Sequence, residues 1–362
     1  MNTQRILTLP LKGAVLVCRT DAIGDLVLTT PVFQVLKSHR TDFEIDALVS
    51  SSAAPILYSD PCLREVLIDP GDLRKRILLL SSRKYAAALA VRPELGLALA
   101  LRLAGIPVRV GTSRRAYSFL FSHRISLHRR FGGRHEAECN LALLEPFGIQ
   151  ESKRWAKIHP CQTDLDRAEE ILIKVGLPTE AKFIVVHPGS NKSAPNLPYT
   201  TYARIISRLS GDYPVVLTGS PEETAPLHQS LESLVETESR TKNDKLEISN
   251  KAAVYDLSGK TDLRSLIGIL VKAQVLVASS TGPLHLAAAL GTRVVSFYGR
   301  PSEVSSRRWK PWVSPELYRI LEPQIEACPS SCRGRCGRTG CLSHISAEDI
   351  IAEVRRLLLL DK

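Results

Sequence analysis

Between Val275 and Tyr298 the chain runs through an apolar stretch, a polar turn, a short helical pattern and a second apolar stretch. Val275–Ala278 and Val294–Tyr298 read as strands. The turn is Ser280-Thr281-Gly282-Pro283, and Leu284–Leu290 carries helical spacing closed by Gly291. Proline in the first helical turn and glycine just past the last are the placements a helix favours. The same alternation recurs along the chain, twice over. Ala14–Arg19, Phe43–Val49, Glu65–Ile68 and Ala86–Val91 are strand-like in the first half, with helical stretches such as Asp25–Ser38 and Leu95–Ala104. In the second half Phe183–His187 and Pro214–Thr218 are strand-like, and Thr201–Leu209 and Asp262–Lys272 are helical. Such alternation predicts an α/β chain with parallel sheets covered by helices on both faces.

With 362 residues the chain is long enough for roughly two domains. The change-over is expected near Gln150–Leu177, a polar segment passing into a helix. Glu236–Lys251 is charged and aperiodic and is expected to be a surface loop. Ser346–Leu360 places Ile350, Ile351, Val354, Leu357 and Leu358 on one helical face, which should dock. Doubly wound domains bind ligands at the carboxyl ends of their strands, so the turns that follow the strands carry the functional argument.

The first of these turns is Arg19-Thr20-Asp21-Ala22-Ile23-Gly24-Asp25. Gly24 permits close backbone approach. Asp25 sits in a first helical turn, where a carboxylate complements the dipole or serves as a general base. Asp21 is a weaker candidate of the same type. The second turn, His187-Pro188-Gly189-Ser190-Asn191-Lys192, suits phosphate contact through Gly189 and Ser190, with Lys192 to neutralise a leaving diphosphate. The third, Thr218-Gly219-Ser220-Pro221-Glu222-Glu223, offers acidic side chains of the kind that meet ribose hydroxyls. The fourth is the Ser280–Pro283 turn, whose free N–H groups and positive dipole end suit a nucleotide diphosphate.

Charge and composition narrow the partners. The net charge is +11, and from Leu95 to His135 there is no Asp or Glu. Arg102, Arg109, Arg114, Arg115, Arg124, Arg129, Arg130 and Arg134, with His123 and His128, fill that window. It is either a solvated basic face or a surface for an anionic acceptor or anionic lipid headgroups. Only Tyr117, Phe119, Phe121 and Phe131 interleave, without a recognition motif, so nucleic acid is not expected. The most apolar segment, Tyr85–Gly105, is interrupted by Arg92, Glu94 and Arg102, so no membrane span is expected. No signal peptide is apparent, and eight cysteines then suggest a reducing cytoplasm.

Metal ligation is considered at two places. Asp164-Leu165-Asp166 has the Asp-x-Asp pattern but opens the helix Asp164–Lys174, where helix-end charge explains it. Cys328, Cys332, Cys336 and Cys341 lack the C-x2-C interval; a loop of thiols, a redox-dependent disulfide and structural zinc all stay open. Cys18, Cys62, Cys139 and Cys161 are scattered and expected in the core. His135-Glu136 is either a helix start or part of an acceptor site.

Taken together in order and spacing, these motifs resemble the heptosyltransferase-type glycosyltransferases, glycosyltransferase family 9, which add ADP-activated heptose to the lipopolysaccharide core. The resemblance covers nearly the whole chain. It rests on Arg19…Ile23-Gly24-Asp25…Thr30-Pro31, His135-Glu136, His187-Pro188-Gly189-Ser190 and Asn196-Leu197-Pro198, and on Gly219-Ser220-Pro221-Glu222-Glu223 and Thr281-Gly282-Pro283…His285. The cysteine tail followed by Ile345-Ser346 belongs to the same pattern.

The resemblance implies a GT-B fold, two facing Rossmann-like doubly wound domains with a cleft between them. Residues 1–160 would bind acceptor, 161–340 the nucleotide sugar, and 341–362 would form a helix docking back on the body. It implies inverting transfer that needs no metal or cofactor, in the cytoplasm and in peripheral contact with the inner membrane surface. ADP-heptose and an anionic glycolipid would be the partners. Asp25 would be the base. Arg19, Asp21, Gly24, Arg114, Arg115 and His135 would line the acceptor side. Ser190 and Lys192 would flank the phosphates, Glu222 or Glu223 would meet ribose, and Thr261 would lie near the base. Thr281, Gly282 and Pro283 would hold the diphosphate, supported by His285. Two positions depart from the family pattern: Ser280 stands where Asp usually precedes the Thr-Gly pair, and Pro195 where Lys or Arg is frequent. Ser280 leaves open another nucleotide sugar as donor. A non-catalytic nucleotide-sugar-binding relative and a sugar-nucleotide epimerase are the other readings.

Overall fold

The computed structural model describes residues 13–129, 133–151, 153–191, 193–241, 254–299, 304–325 and 340–361. The chain divides into two compact units, Met1–His159 and Pro160–Lys362. In the first, the strands are β1 Val15–Arg19, β2 Ile45–Val49, β3 Glu65–Ile68, β4 Ala87–Ala90, β5 Val108–Thr112 and β6 His123–Ile125. Its helices are α1 Ile23–Val27, α2 Thr30–His39, α3 Leu73–Ser81, α4 Leu95–Leu103 and α5 Glu136–Leu141. In the second, the strands are β7 Ile184–His187, β8 Val215–Leu217, β9 Val254–Asp256, β10 Val275–Ser279, β11 Arg293–Phe297 and β12 Tyr318–Leu321. Its helices are α6 Gln162–Lys174, α7 Tyr199–Leu209, α8 Pro221–Thr241, α9 Leu263–Lys272, α10 Gly282–Ala289, α11 Ser306–Trp309 and α12 Ala347–Leu358.

Both sheets are parallel throughout, with orders β3-β2-β1-β4-β5-β6 and β12-β11-β10-β7-β8-β9. Counted from the start of each unit, the two orders are the same. β1, β2 and β10 are buried on both faces, as strands covered by helices on each side must be. That is why β1 and β10 read as apolar runs rather than alternating ones; in β2 the buried Asp46 is matched by Arg64 and the Tyr85 hydroxyl.

The first unit's core joins Leu16, Cys18, Ala88 and Ala90 of the sheet to Leu97, Ala98 and Leu101 of α4. The second unit's core joins Val275, Val277, Val295 and Phe297 to α7 and to Ile350, Val354 and Leu357 of α12. Tyr202 and Phe297 meet edge-on within it, centroids 6.0 Å apart. The amphipathic last helix therefore packs on α7 and on the central strands. Ser346 caps it, accepting from the Asp349 N–H at 3.0 Å.

Several local expectations change. Asp25–Ser38 is two helices, because the Leu28–Thr29 step ends α1 and Pro31, without an N–H, opens the second turn-start at α2. Glu236–Lys251 is not all loop: α8 continues to Thr241, and the remainder lies outside the described residues. β5, β6, β9, β12 and α3 carry no distinct signal in the sequence. Asp164 stands in the first turn of α6, as the helix-end reading expects, accepting from the Cys161 N–H at 2.9 Å and pairing with Arg264 Nε at 2.5 Å. Asp166 accepts from Gln162. Cys328, Cys332 and Cys336 lie outside the described residues. Cys18 and Cys139 are buried as expected, whereas Cys62 and Cys161, like Cys341, are only partly buried.

α6 crosses α9 at Gly268, where a Cβ would fall inside the van der Waals shell of the Asp164 carbonyl oxygen. Gly268→Ala should destabilise the second unit by about 2 kcal/mol or more. Gly211→Ala, whose added carbon meets only the Arg208 carbonyl at 3.7 Å, should be tolerated. Thermal unfolding of the two variants checks this; equal midpoints would show that α6 and α9 can part at no cost.

Candidate functional site

In a sheet ordered 3-2-1-4-5-6 the crossovers leave the first strand in opposite directions. The carboxyl ends of its first and fourth strands are therefore left uncovered, and ligands bind there. In the first unit that place is the end of β1 beside β4; in the second it is the end of β7 beside β10.

At the end of β1, Arg19 is only 4% exposed. A buried guanidinium has to be paired, and every nitrogen of this one is. Nε donates to Asp21 at 2.7 Å and Nη2 to Asp25. Nη1 reaches Glu136 at 3.2 Å and Asn140 at 3.4 Å. Arg129 pairs with the same Glu136 and donates to Asn140 at 3.0 Å and to the Val91 carbonyl at 3.0 Å. Asn140 returns its amide N–H groups to the Leu28 carbonyl at 2.9 Å and to Thr29 at 3.2 Å. Three carboxylates thus surround two guanidinium groups.

Asp25 keeps about a fifth of its surface, 22%. Burial pushes its carboxyl up to about 6, against the pull of Arg19, with Asp21 and Glu136 pushing the same way as burial. A carboxylate of that affinity is ionised at neutral pH yet basic enough to take a proton from a hydroxyl.

The other first-unit candidates fall into two groups. Gly24 is buried inside α1. His135 is buried as the N-cap of α5, where Nδ1 accepts from the Ala137 N–H at 3.1 Å and Glu138 accepts from the His135 N–H at 2.7 Å. Arg114 and Arg115 are exposed on the segment after β5, two strands from β1 in the sheet. Arg109 is committed to backbone, donating to the Leu120 and Pro107 carbonyls at 2.9 and 3.1 Å. The grouping of Glu136, Asn140 and Arg129 around Arg19 comes from the fold, not from any motif. The available signal was the i, i+4 spacing of Glu136 and Asn140, which puts both on one face of α5.

In the second unit, Glu223 joins two turns. Oε1 accepts from the N–H groups of Ser190 and Asn191 at 2.8 and 2.6 Å, and Oε2 from Ser220 N–H at 3.4 Å. Asn191 is left-handed, φ 42°, so successive N–H groups can converge on one anion. Gly189 lies so close that any Cβ would collide with the carboxylate. Glu223 is thus engaged by backbone, whereas Glu222 is exposed in the first turn of α8. Asn196 fixes the same loop, donating to the Pro188 carbonyl and accepting from Tyr202 Oη at 2.7 Å.

Burial lowers the His187 imidazole to about 4, so it is neutral and pairs with Thr218 at 3.0 Å. Beside β7, Thr281 is the N-cap of α10 and its N–H bonds to the Ser279 carbonyl at 2.7 Å. Ser280 lies by the Tyr298 phenol, Gly282 and Pro283 form the first helical turn, and His285 is buried on it. Thr261 precedes Asp262, the N-cap of α9. Lys192 lies outside the described residues. Among the described residues no cluster of three metal-ligating side chains occurs.

Residues 74–328 match the model of glycosyltransferase family 9 (heptosyltransferase). A putative glycosyltransferase of Haemophilus influenzae is 26% identical, over 94% of this chain and 95% of its own length. Lipopolysaccharide heptosyltransferase 3 of Escherichia coli K12 is 25% identical, over 92% and 95%. The structure of E. coli ADP-heptose lps heptosyltransferase II superposes with a TM-score of 0.74 at 20% identity, over 96% and 99% of the two chains.

Removing Glu223 should free the loop after β7. Charge-assisted hydrogen bonds are worth about 1.5–3 kcal/mol, so Glu223→Ala should speed amide exchange at Ser190 and Asn191 about tenfold or more. Glu222→Ala should leave that exchange as it is. Unchanged protection in Glu223→Ala would mean that the loop is ordered by other contacts.

Proposed function

The chain belongs to glycosyltransferase family 9, the heptosyltransferases, and from that footing we propose that it transfers heptose from ADP-heptose to a lipopolysaccharide-core or similar envelope glycolipid, with inversion and without a metal ion. The observation that carries the chemistry is Asp25, a raised carboxyl held by Arg19 at the open end of β1. The acceptor O–H proton passes to Asp25 as the acceptor oxygen bonds to the anomeric carbon. The bond from that carbon to the diphosphate oxygen breaks, and its electron pair leaves on the phosphate.

On this reading Arg19 is a positioning residue, since its guanidinium is already spent on Asp21, Asp25, Glu136 and Asn140. The leaving diphosphate would meet the first turn of α10 and Lys192. Gly282 and Leu284 offer N–H groups there that have no acceptor within the helix. Glu222 is the better placed of the two acids for ribose, because Glu223 is holding the phosphate-side loop. Arg114 and Arg115 would meet anionic groups of the acceptor at a distance from the reacting hydroxyl.

Ser280 favours a second reading, a related transferase with another nucleotide sugar. A hydroxyl at that place gives sugar hydroxyls a neutral partner, where a carboxylate would bind them about twice as strongly. Binding of ADP, UDP, GDP and CDP, with EDTA present, separates the two. Selective ADP binding supports ADP-heptose; selectivity for another base moves the donor assignment.

Asp25→Asn should lower turnover at least about a hundredfold while leaving nucleotide affinity intact. In the unaltered protein kcat/KM should fall about tenfold per pH unit below about 6, as the base becomes protonated. Arg19 favours the ionised carboxylate, so Arg19→Gln should move that limb to higher pH. Full turnover in Asp25→Asn would remove Asp25 as the base.

A further inference from the structure

We propose that the outer face formed by α3, α4 and the 3-10 turn Ser118–Leu120 docks this protein on an anionic lipid bilayer. The inference deepens the glycolipid reading above by locating the surface on which a lipid-anchored acceptor would be met.

The face is unusual first in what it exposes. Leu78 on α3 is 73% exposed, Leu95 and Leu103 on α4 are 54% and 56%, and Phe119 on the turn is 68%. α3 and α4 pack side by side and the turn packs on α4, so these four stand on adjoining elements of the first unit, each turned away from its core. The residues behind them, Leu80, Leu97, Leu101 and Leu120, are core. The exposed set is therefore a second apolar row on helices whose inward row is already satisfied. Scattered exposed leucines need no explanation, but a row shared by adjacent elements marks an interaction site.

Charge selects the occupant. Between Leu73 and His135 the sequence holds fourteen Lys and Arg and a single acid, Glu94. Glu94 is bonded to Arg76 at 2.7 Å, so it offers little negative charge outward. Arg74 and Lys75 flank Leu78 on α3, Arg102 adjoins Leu103, and all three are exposed. Apolar side chains ringed by Lys and Arg are the composition of a surface that lies on a bilayer, with the chains at the acyl boundary and the cations among the headgroups. No described helix is long and apolar enough to cross a membrane. The face would bind at the interface only.

Co-flotation with phosphatidylcholine vesicles and with phosphatidylcholine–phosphatidylglycerol vesicles tests the proposal. The protein should float with the anionic vesicles, not the neutral ones, and high salt should weaken binding. Arg74→Glu, Lys75→Glu and Arg102→Glu should each weaken it about fivefold or more. Leu78→Ser, Leu103→Ser and Phe119→Ser combined should abolish it while leaving transfer to a soluble acceptor fragment unchanged. Equal binding by these variants, or none by the unaltered protein, would overturn the proposal. So would a dimer in sedimentation that the same substitutions dissociate, because the face would then belong to a second copy. Vesicle binding needs no donor, so a protein that floats but transfers no heptose would leave this inference standing and sink the functional reading.

Discussion

The rest of the structure depends on one constraint, the strand order that each half shares. In an all-parallel sheet every connection must cross back over a face, and the order 3-2-1-4-5-6 sends the connections of strands one to three to one face and those of strands four to six to the other. That split leaves two adjacent strand ends bare in each unit. Those ends carry Arg19 and its carboxylates in one half, and the Glu223-bound loop and the Thr281 turn in the other.

The two bare ends are finished with opposite electrostatics. In the first unit a buried cation is surrounded by acids. A guanidinium taken out of water is costly unless matched, and Asp21, Asp25 and Glu136 match it. The excess of acid over base around Arg19 is also why burial is not offset at Asp25, whose proton affinity rises despite a neighbouring cation. In the second unit a carboxylate is surrounded by backbone N–H groups. Glu223 there takes the place that an exogenous anion could otherwise claim on the β7 loop, and it fixes the loop's shape. One half holds a carboxylate of raised proton affinity; the other presents oriented dipoles.

Much of this was legible in the sequence because the informative pieces are local. Buried parallel strands are largely apolar runs, so β1, β2, β7, β10 and β11 announce themselves, and the turns after them are fixed by contiguity. Edge strands β6, β9 and β12 are short and only partly buried, and their composition does not separate them from loop. Asp25, Ser190 and Thr281 could be named from the motifs. The distant partners of Arg19 could not, since Glu136 and Asn140 stand more than a hundred residues away and meet it only through the fold. The same holds for Glu223: its motif suggested a contact with ribose, and only the tertiary structure puts its carboxylate on the Ser190 and Asn191 N–H groups. For His135 the sequence leaves a helix start and an acceptor role open, and the structure places it at the N-cap of α5.

α12 covers the strands β10 and β11 alongside α7, although it comes from the far end of the chain. The second unit therefore cannot close its core until that last helix has been synthesised. The first unit draws its buried core from residues 14–158, all of them ahead of the second unit's strands, and has no such wait. During translation the acid-lined half can be folded while the other still lacks a layer, exposing Val277, Val295 and Phe297 to the surroundings. A nascent chain stalled before Ala347 would thus be half native and half adhesive, a substrate for chaperones rather than a smaller working enzyme.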